Sequence, residues 1–363
     1  MDSVTQFVLG AGVGMAVLGR RMGAGKAALA GGLLGSLPDA DVFWPFDDPI
    51  DRFVLHRGAT HSLVIQALVT PLFAEGLMRL SRPLRAARGR TYLAVYLVFA
   101  THALLDALTI YGTQLFWPIW KEPLGLGSVF IIDPLYTLPL LIVTLWGTSQ
   151  RRWSPRFGNA LAAALIVSTA YLAWGVAAQQ IAQARATRLL AEAGVSPERV
   201  FATPTPFNSL FWRVVAVDGP RYVNLYVPLL AGADAVTAYV HPRYTVPPEC
   251  LALNGSAERL VAFSKGFYRL DEVDGALVMI DLRMGLTPGY SFRFVIAEHG
   301  PQGYRELAPR RLLADRQSPG DWAWLGDGIL GRKSVRPAEA ARLAELRPGA
   351  VPMAKTVGKA GGC

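Results

Sequence analysis

Apolar segments alternate with short basic loops along the first half of this chain, and that alternation constrains the fold more than any single residue does. Six segments can be drawn, over roughly 4–19, 24–37, 60–78, 91–110, 129–148 and 159–178. The last four approach the ~20 residues that a helix needs to cross a bilayer. The first two are shorter and rich in Gly and Ala, which fits a tilted, half-inserted or tightly packed hairpin. The chain begins Met-Asp and has no basic leader region, so the first segment reads as retained rather than cleaved. A hydrophobic share of 52%, only 17% charged residues and a mean hydropathy of +0.29 over 363 residues argue against an enzyme that is soluble throughout.

The net charge of +9 invites a nucleic-acid reading, but the placement of the charge argues against it. Arg20, Arg21 and Lys26 lie between the first two segments. Arg79, Arg82, Arg85, Arg88 and Arg90 lie between the third and fourth, and Arg151, Arg152 and Arg156 between the fifth and sixth. Basic loops at alternate turns are the positive-inside pattern of a multi-pass membrane protein. Membrane lipids are then the expected partners, and no nucleic acid is expected. With these loops in the cytoplasm, four regions fall on the outer, periplasmic side of an inner membrane: the N-terminus, the 38–59 and 111–128 loops, and everything after residue 179. The 38–59 loop agrees, with five Asp against two Arg.

After residue 179 the pattern changes. Residues 180–198 read as helix or linker. From about 210, FWRVVAV, RYVNLYVPLL, AVTAYV, RLVAFSKGFYRL, ALVMIDLRM and YSFRFVIAE are strand-like, with turn residues such as Asp218-Gly219-Pro220 and Asp274-Gly275 between them. The expected architecture is an α-helical membrane domain (1–179) of about six apolar segments. It is followed by an extramembrane α+β domain (180–300) rich in antiparallel strands. A partly irregular extension (301–363) completes the chain, its Lys-Ala-Gly-Gly-Cys end reading as disordered. Cys250 and Cys363 are the only cysteines, too few for a disulfide scaffold or a thiolate metal cluster.

Three of the five histidines lie in the N-terminal region, beside carboxylates at segment ends. Asp39 and Asp41 follow the second segment in Leu37-Pro38-Asp39-Ala40-Asp41. His56 and His61 bracket the start of the third in His56-Arg57-Gly58-Ala59-Thr60-His61. His102 and Asp106 are four apart on one helix face within the fourth. Ionisable residues at membrane depth mark functional cavities. Imidazole and carboxylate together suit a divalent metal, with zinc expected first. Each motif also has a structural alternative: a polar exit from a helix, an interfacial decoration, or a hydrogen-bonded His–Asp pair. Asp2 reads as a helix cap or an added carboxylate, Asp133 as a cap or a further candidate, and Gln6 as a weak ligand.

The stretches MDSVTQFVLGAGVG, GSLPDADV, HRGATHSL and HALLDALTIYGTQLFWP, in this order and spacing, resemble the YdjM/YbcI-like membrane-bound metal-dependent hydrolases, the DUF457 family. The resemblance covers about the first 140 residues. It implies an inner-membrane hydrolase remotely similar to zinc-dependent phospholipase C and P1 nuclease. His102 and Asp106 match the family's helix-borne ligand pair, and Asp39 or Asp41, His56 and His61 match its other polar positions. Gln6 departs from the family, many members of which carry His there.

The expected activity is metal-assisted hydrolysis of a phosphoester, with a phospholipid among the candidate substrates. Asp39, Asp41, His56, His61, His102 and Asp106 are the expected ligands, with Asp39 or Asp41 as general base and Arg57 holding the substrate anion. The rival is a non-catalytic, membrane-anchored envelope protein whose polar cluster or metal is structural. Transport ranks last, because the cytoplasmic halves of the segments carry almost no ionisable groups to continue a path.

Overall fold

The computed structural model describes residues 1–46, 48–246, 255–300, 303–313 and 317–345. Both cysteines, and the C-terminal end expected to be disordered, lie outside the described residues. The chain divides into two compact units. The first comprises Met1–Pro45, Leu55–Ala177 and Pro206–Ser209; the second comprises Phe46–Val54, Ala178–Thr205 and the chain from Leu210 onward.

The first unit is helical. Its elements are α1 (Ser3–Met22), α2 (Ala24–Ser36), α4 (Leu63–Leu80), the short α5 (Arg82–Arg85), α6 (Arg88–Leu108), α7 (Pro134–Ser149) and the start of α8 (Pro155–Glu192). The short helix α3 (Pro49–Leu55) belongs almost wholly to the second unit. Side-chain caps set several helix starts, and of these Asp2 and Asp133 are among the cap alternatives read in the sequence. Asp2 accepts from the backbone of Val4 and Thr5, Ser62 from Val64 and Ile65, and Asp133 from Leu135 and Tyr136. Asp133 also accepts from the Tyr171 hydroxyl at 2.8 Å.

Among the described residues, four helices are long and apolar enough to cross a membrane: α1, α4, α6 and α8. The other two expected segments form shorter helices, 13 residues in α2 and 16 in α7. Protein buries most of the apolar window of α1 and α6 but only 22% of that of α4 and of α8. Leu68, Leu72, Ile166 and Val167 stand exposed on the latter pair, as expected of faces solvated by acyl chains.

The α1–α2 hairpin is the tightest packing in this unit. A Cβ on Gly10 would lie 2.4 Å from the Gly31 carbonyl oxygen, and one on Gly31 would lie 2.2 Å from that of Gly10. Gly14 meets the Ala27 carbonyl and Gly35 meets the Gln6 carbonyl in the same way. Glycines four apart on both helices let the two backbones touch, the small-residue solution for helices in lipid. This seam brings Gln6 of α1 beside Gly35 at the end of α2, and α6 packs against the hairpin through Val95, Val98 and Phe99.

The second unit is a pair of antiparallel four-stranded sheets. The first, in order, is β1 (Arg199–Pro204), β2 (Phe211–Asp218), β3 (Arg221–Pro228) and β4 (Thr237–Pro242). The second is β5 (Tyr268–Val273), β6 (Ala276–Asp281), β7 (Arg293–Gly300) and β8 (Gly303–Arg311). Alternation sorts the side chains of the first sheet. Trp212, Val214, Ala216, Val223 and Leu225 pack on the Ala178, Ala182, Ala186 and Leu190 stripe of α8. Val215, Val217 and Tyr222 face Val278, Ile280, Leu282 and Val295 of the second sheet region. Asp274 and Gly275, both at positive φ, turn β5 into β6 as a type I′ hairpin requires.

Three expectations change here. RLVAFSKGFYRL is not one strand: Gly255–Phe263 is helix α9, with Ala257, Leu260 and Phe263 buried at helical spacing, and the strand begins only at Tyr268. The first strand precedes residue 210, because β1 pairs with β2 from Arg199↔Val217 onward. The sheet continues past residue 300, because β8 closes a hairpin with β7. The helices α10 (Asp321–Ile329) and α11 (Pro337–Glu345) follow.

Candidate metal centre

Four side chains from three chain segments converge in the first unit: Asp39, His61, His102 and Asp106. Asp39 lies on a 3-10 turn, Pro38–Phe43, that Pro38 starts as α2 ends. His61 closes a second such turn, Ala59–His61, just before the Ser62 cap of α4. His102 and Asp106 lie one turn apart on α6. Arg57, buried and at φ +66°, makes the sharp bend that leads into the His61 turn.

The donor atoms form a compact group. His61 Nε2 is 3.0 Å from His102 Nε2, 3.3 Å from Asp39 Oδ1 and 3.4 Å from Asp106 Oδ2. His102 Nε2 is 3.6 Å from both Asp39 Oδ1 and Asp106 Oδ2. A tetrahedral ion with bonds of about 2.0–2.1 Å spaces its donors about 3.3 Å apart. Five of the six edges of the group fall close to that length.

The outer contacts fix which ring nitrogens face inward. His102 Nδ1 donates to the Gly35 carbonyl at 2.6 Å, at the end of the glycine seam. Thr60 donates its hydroxyl to Asp41 Oδ2 at 2.8 Å, so its oxygen accepts from His61 Nδ1 at 2.9 Å. With both Nδ1 atoms protonated, the two neutral rings present Nε2 lone pairs to each other across 3.0 Å. That opposition is unfavourable unless a proton or a cation lies between them. Histidine ligands oriented through Nδ1 by a carbonyl or carboxylate relay are the usual support of a metal site. The donor set and its spacing therefore fit a divalent ion.

Residues 1–182 match the model of the YdjM inner membrane protein family. The chain belongs to that family. No curated protein and no solved structure matches it. The match ends within α8, and the paired sheets follow it.

The other expected site residues take up outer positions in this family member. Asp41 accepts from Thr60, from the Arg57 backbone at 3.2 Å, and pairs through Oδ1 with His56 Nδ1 at 2.8 Å. Asp41 and His56 thus form a pair beside the four-donor group rather than two further vertices of it. The Arg57 guanidinium does not stand open to a ligand: Nε lies 3.0 Å from Asp106 Oδ2, Nη1 donates to Thr109 at 3.0 Å, and the Tyr111 ring stacks on it at 4.9 Å. Gln6 is buried and donates to Asp106 Oδ1 at 3.0 Å, and its own Oε1 has no hydrogen-bond partner among the described residues. The amino group of Met1 also contacts Asp106 Oδ1.

The electrostatics favour a cation. Burial acts to raise the pKa of Asp39, but hydrogen bonds to His102 and His61, formed when a proton rather than an ion lies on the inward Nε2 atoms, outweigh it and hold the carboxyl far below its ordinary range. Asp41 is likewise held low, burial being outweighed by the His56 hydrogen bond. Burial disfavours the charged form of His61, yet the Asp106 and Asp39 carboxylates still hold its pKa above normal. Carboxylates that retain a proton on a buried imidazole would equally draw a divalent ion to it. The sequence pattern pointed to every carboxylate and imidazole of this centre. It missed Thr60 and the Gly35 carbonyl, whose role depends on a helix packing that no local motif reports.

Proposed function

We propose that this inner-membrane family member is a multi-pass, metal-dependent hydrolase acting on a phosphoester, with its catalytic centre at the outer membrane face. The observation that carries the reading is the compact group of Asp39, His61, His102 and Asp106, whose donor atoms all lie within 4.8 Å of one another, with both imidazoles oriented through Nδ1. His61, His102 and Asp106 are buried and would hold the ion, for which zinc fits the donor set. A bound divalent ion would lower the pKa of a water ligand and polarise a phosphoryl oxygen.

Asp39 is the one partly exposed member, on a 3-10 turn rather than a spanning helix. It is the carboxylate best placed to yield its position to a water molecule. Arg57 orients Asp106 and balances its charge. The pattern of basic loops supports placing the 38–59 and 111–128 loops, and the second unit, on the periplasmic side. A phospholipid headgroup could reach such a centre without leaving the bilayer.

One observation favours a second reading. Protein atoms supply four donors, as in closed structural sites, so the ion could brace the helices of an envelope protein without catalysis. Metal analysis and turnover of bis(p-nitrophenyl) phosphate by detergent-purified protein separate the two. A stoichiometric metal with turnover, both lost in His102→Ala and Asp106→Ala, supports hydrolysis. Metal without turnover on soluble or bilayer phosphoesters supports the structural role, and absence of bound metal defeats both.

A further inference from the structure

The second unit buries a group of donors around one carboxylate that the chain itself provides. Glu339, on α11, is fully buried. Its Oε1 accepts from the Tyr226 hydroxyl at 2.7 Å and from Asn224 Nδ2 at 3.0 Å, and its Oε2 pairs with His241 Nε2 at 2.7 Å. These donors come from β3 and β4 and engage both oxygens of a flat acceptor. Tyr222 stacks on the His241 ring at 5.0 Å and Trp324 meets Tyr226 edge-on at 4.9 Å, so the walls are aromatic.

The pocket also has a charge that needs an anion. Arg213 of β2 is buried and donates only to neutral acceptors: Asn224 Oδ1, the Gly285 carbonyl and the Tyr290 hydroxyl. No described carboxylate forms an ion pair with it. Through Asn224, Glu339 is its nearest hydrogen-bonded counter-charge, and an uncompensated buried guanidinium is costly. His241 Nδ1 is buried without a hydrogen-bond partner among the described residues, so the cluster is not closed on itself.

The element that carries Glu339 fully buries no other side chain. Glu339 is the only buried residue of α11; Ala338, Arg342 and Leu343 are half-buried and the others exposed. A helix normally docks by an apolar stripe. In this one the side chain buried most deeply is a carboxylate, and Arg336 anchors the preceding segment to Asp321 at 2.9 Å and to the Thr287 carbonyl. We propose that β2, β3 and β4 form a carboxylate-binding site that Glu339 occupies in cis, and that a carboxylate-bearing ligand takes the same donors when α11 is displaced. The two-oxygen geometry favours a carboxylate over a monoatomic or tetrahedral anion.

Full-length Glu339→Ala protein tests this directly, by thermal unfolding in acetate, chloride and sulfate at matched ionic strength. A saturable rise in Tm with acetate, about 5 °C or more at a hundredfold excess over half-saturation, is expected, with no such rise in chloride or sulfate. Two further ligands distinguish the sources of carboxylate. If free organic acids suffice, propionate and acetate both act. If a peptide is needed, the nine-residue PAEAARLAE acts and PAQAARLAE does not. Equal response to acetate and chloride, with neither peptide acting, overturns the proposal. Should Glu339→Ala not fold, Glu339→Gln keeps the pocket filled. Hydrogen exchange in residues 337–345 should then run at least about fivefold faster in acetate than in chloride if acetate displaces the helix, and equal exchange overturns the proposal.

Discussion

Among the described residues, two buried clusters of histidine and carboxylate lie one in each unit, and they differ in what fills their centre. In the first unit, Asp39, His61, His102 and Asp106 turn acceptor atoms toward one another, with two Nε2 atoms 3.0 Å apart. In the second unit, the donors of Tyr226, Asn224 and His241 surround an acceptor, Glu339, already in place. Burial and residue type barely distinguish them. The direction of the hydrogen bonds does: acceptors converging on a point call for a cation, and donors converging on a carboxylate mark a place already filled by an anion.

The contrast can be broken most forcefully by removing one member of each cluster. Glu339→Ala should destabilise the second unit by about 3–5 kcal/mol, because Arg213 and three buried donors lose their counter-charge. Denaturant unfolding of the full chain reads this. His102→Ala should instead abolish stoichiometric metal while the protein remains folded. If the effects were reversed, the assignment of the centres would be wrong. A milder change sharpens the first centre. Thr60→Val removes the relay from Asp41 to His61 Nδ1 and should weaken metal affinity about 10- to 100-fold, measured by competition with a chelator.

Acid provides the next test. Burial acts to raise the pKa of Glu339, but the hydrogen bond and charge of His241 and the Tyr226 hydrogen bond outweigh it, with help from Arg213, and the net shift is downward. A lowered carboxylate contributes stability that is complete above its ordinary pKa of about 4.5 and is lost as pH falls through the lower folded value. Unfolding of the second unit should therefore become easier on acidification below about pH 5, and Glu339→Gln should flatten that slope. A second unit that grew more stable in acid would contradict a lowered Glu339 pKa. The smallest effect is expected at His56, which pairs with Asp41 outside the four-donor group. His56→Ala should retain metal with affinity within about threefold, well short of the Thr60→Val loss.

Much of the first unit was legible because its signals are local. Runs of Leu, Val and Ala, the Asp2 and Asp133 caps, and the four-residue spacing of His102 and Asp106 each act within a turn or two. Ligand candidates stood out because ionisable groups are rare among apolar residues. The division between Asp39, which joins the group, and Asp41, which supports it, was not legible: both lie on the same short turn, and packing against α6 and the His61 turn decides between them. In the second unit, α9 was hidden because its apolar residues adjoin those of β5, so a helical period reads as one long strand-like run. The role of Glu339 was invisible for the opposite reason. It lies in a polar stretch, and its partners are nearly a hundred or more residues away.

The contact between Gly10 and Gly31 has a consequence for how much variation the chain can bear. A library covering every position of α1 and α2 should return almost nothing but glycine at 10 and 31, since even alanine would drive one backbone off the other. Leu68 and Leu72, open on α4, should accept nearly any greasy replacement. Tolerance along the chain would then trace the hairpin's line of touch, and shifting it by a fraction of an ångström would withdraw the Gly35 oxygen from the ring it steadies.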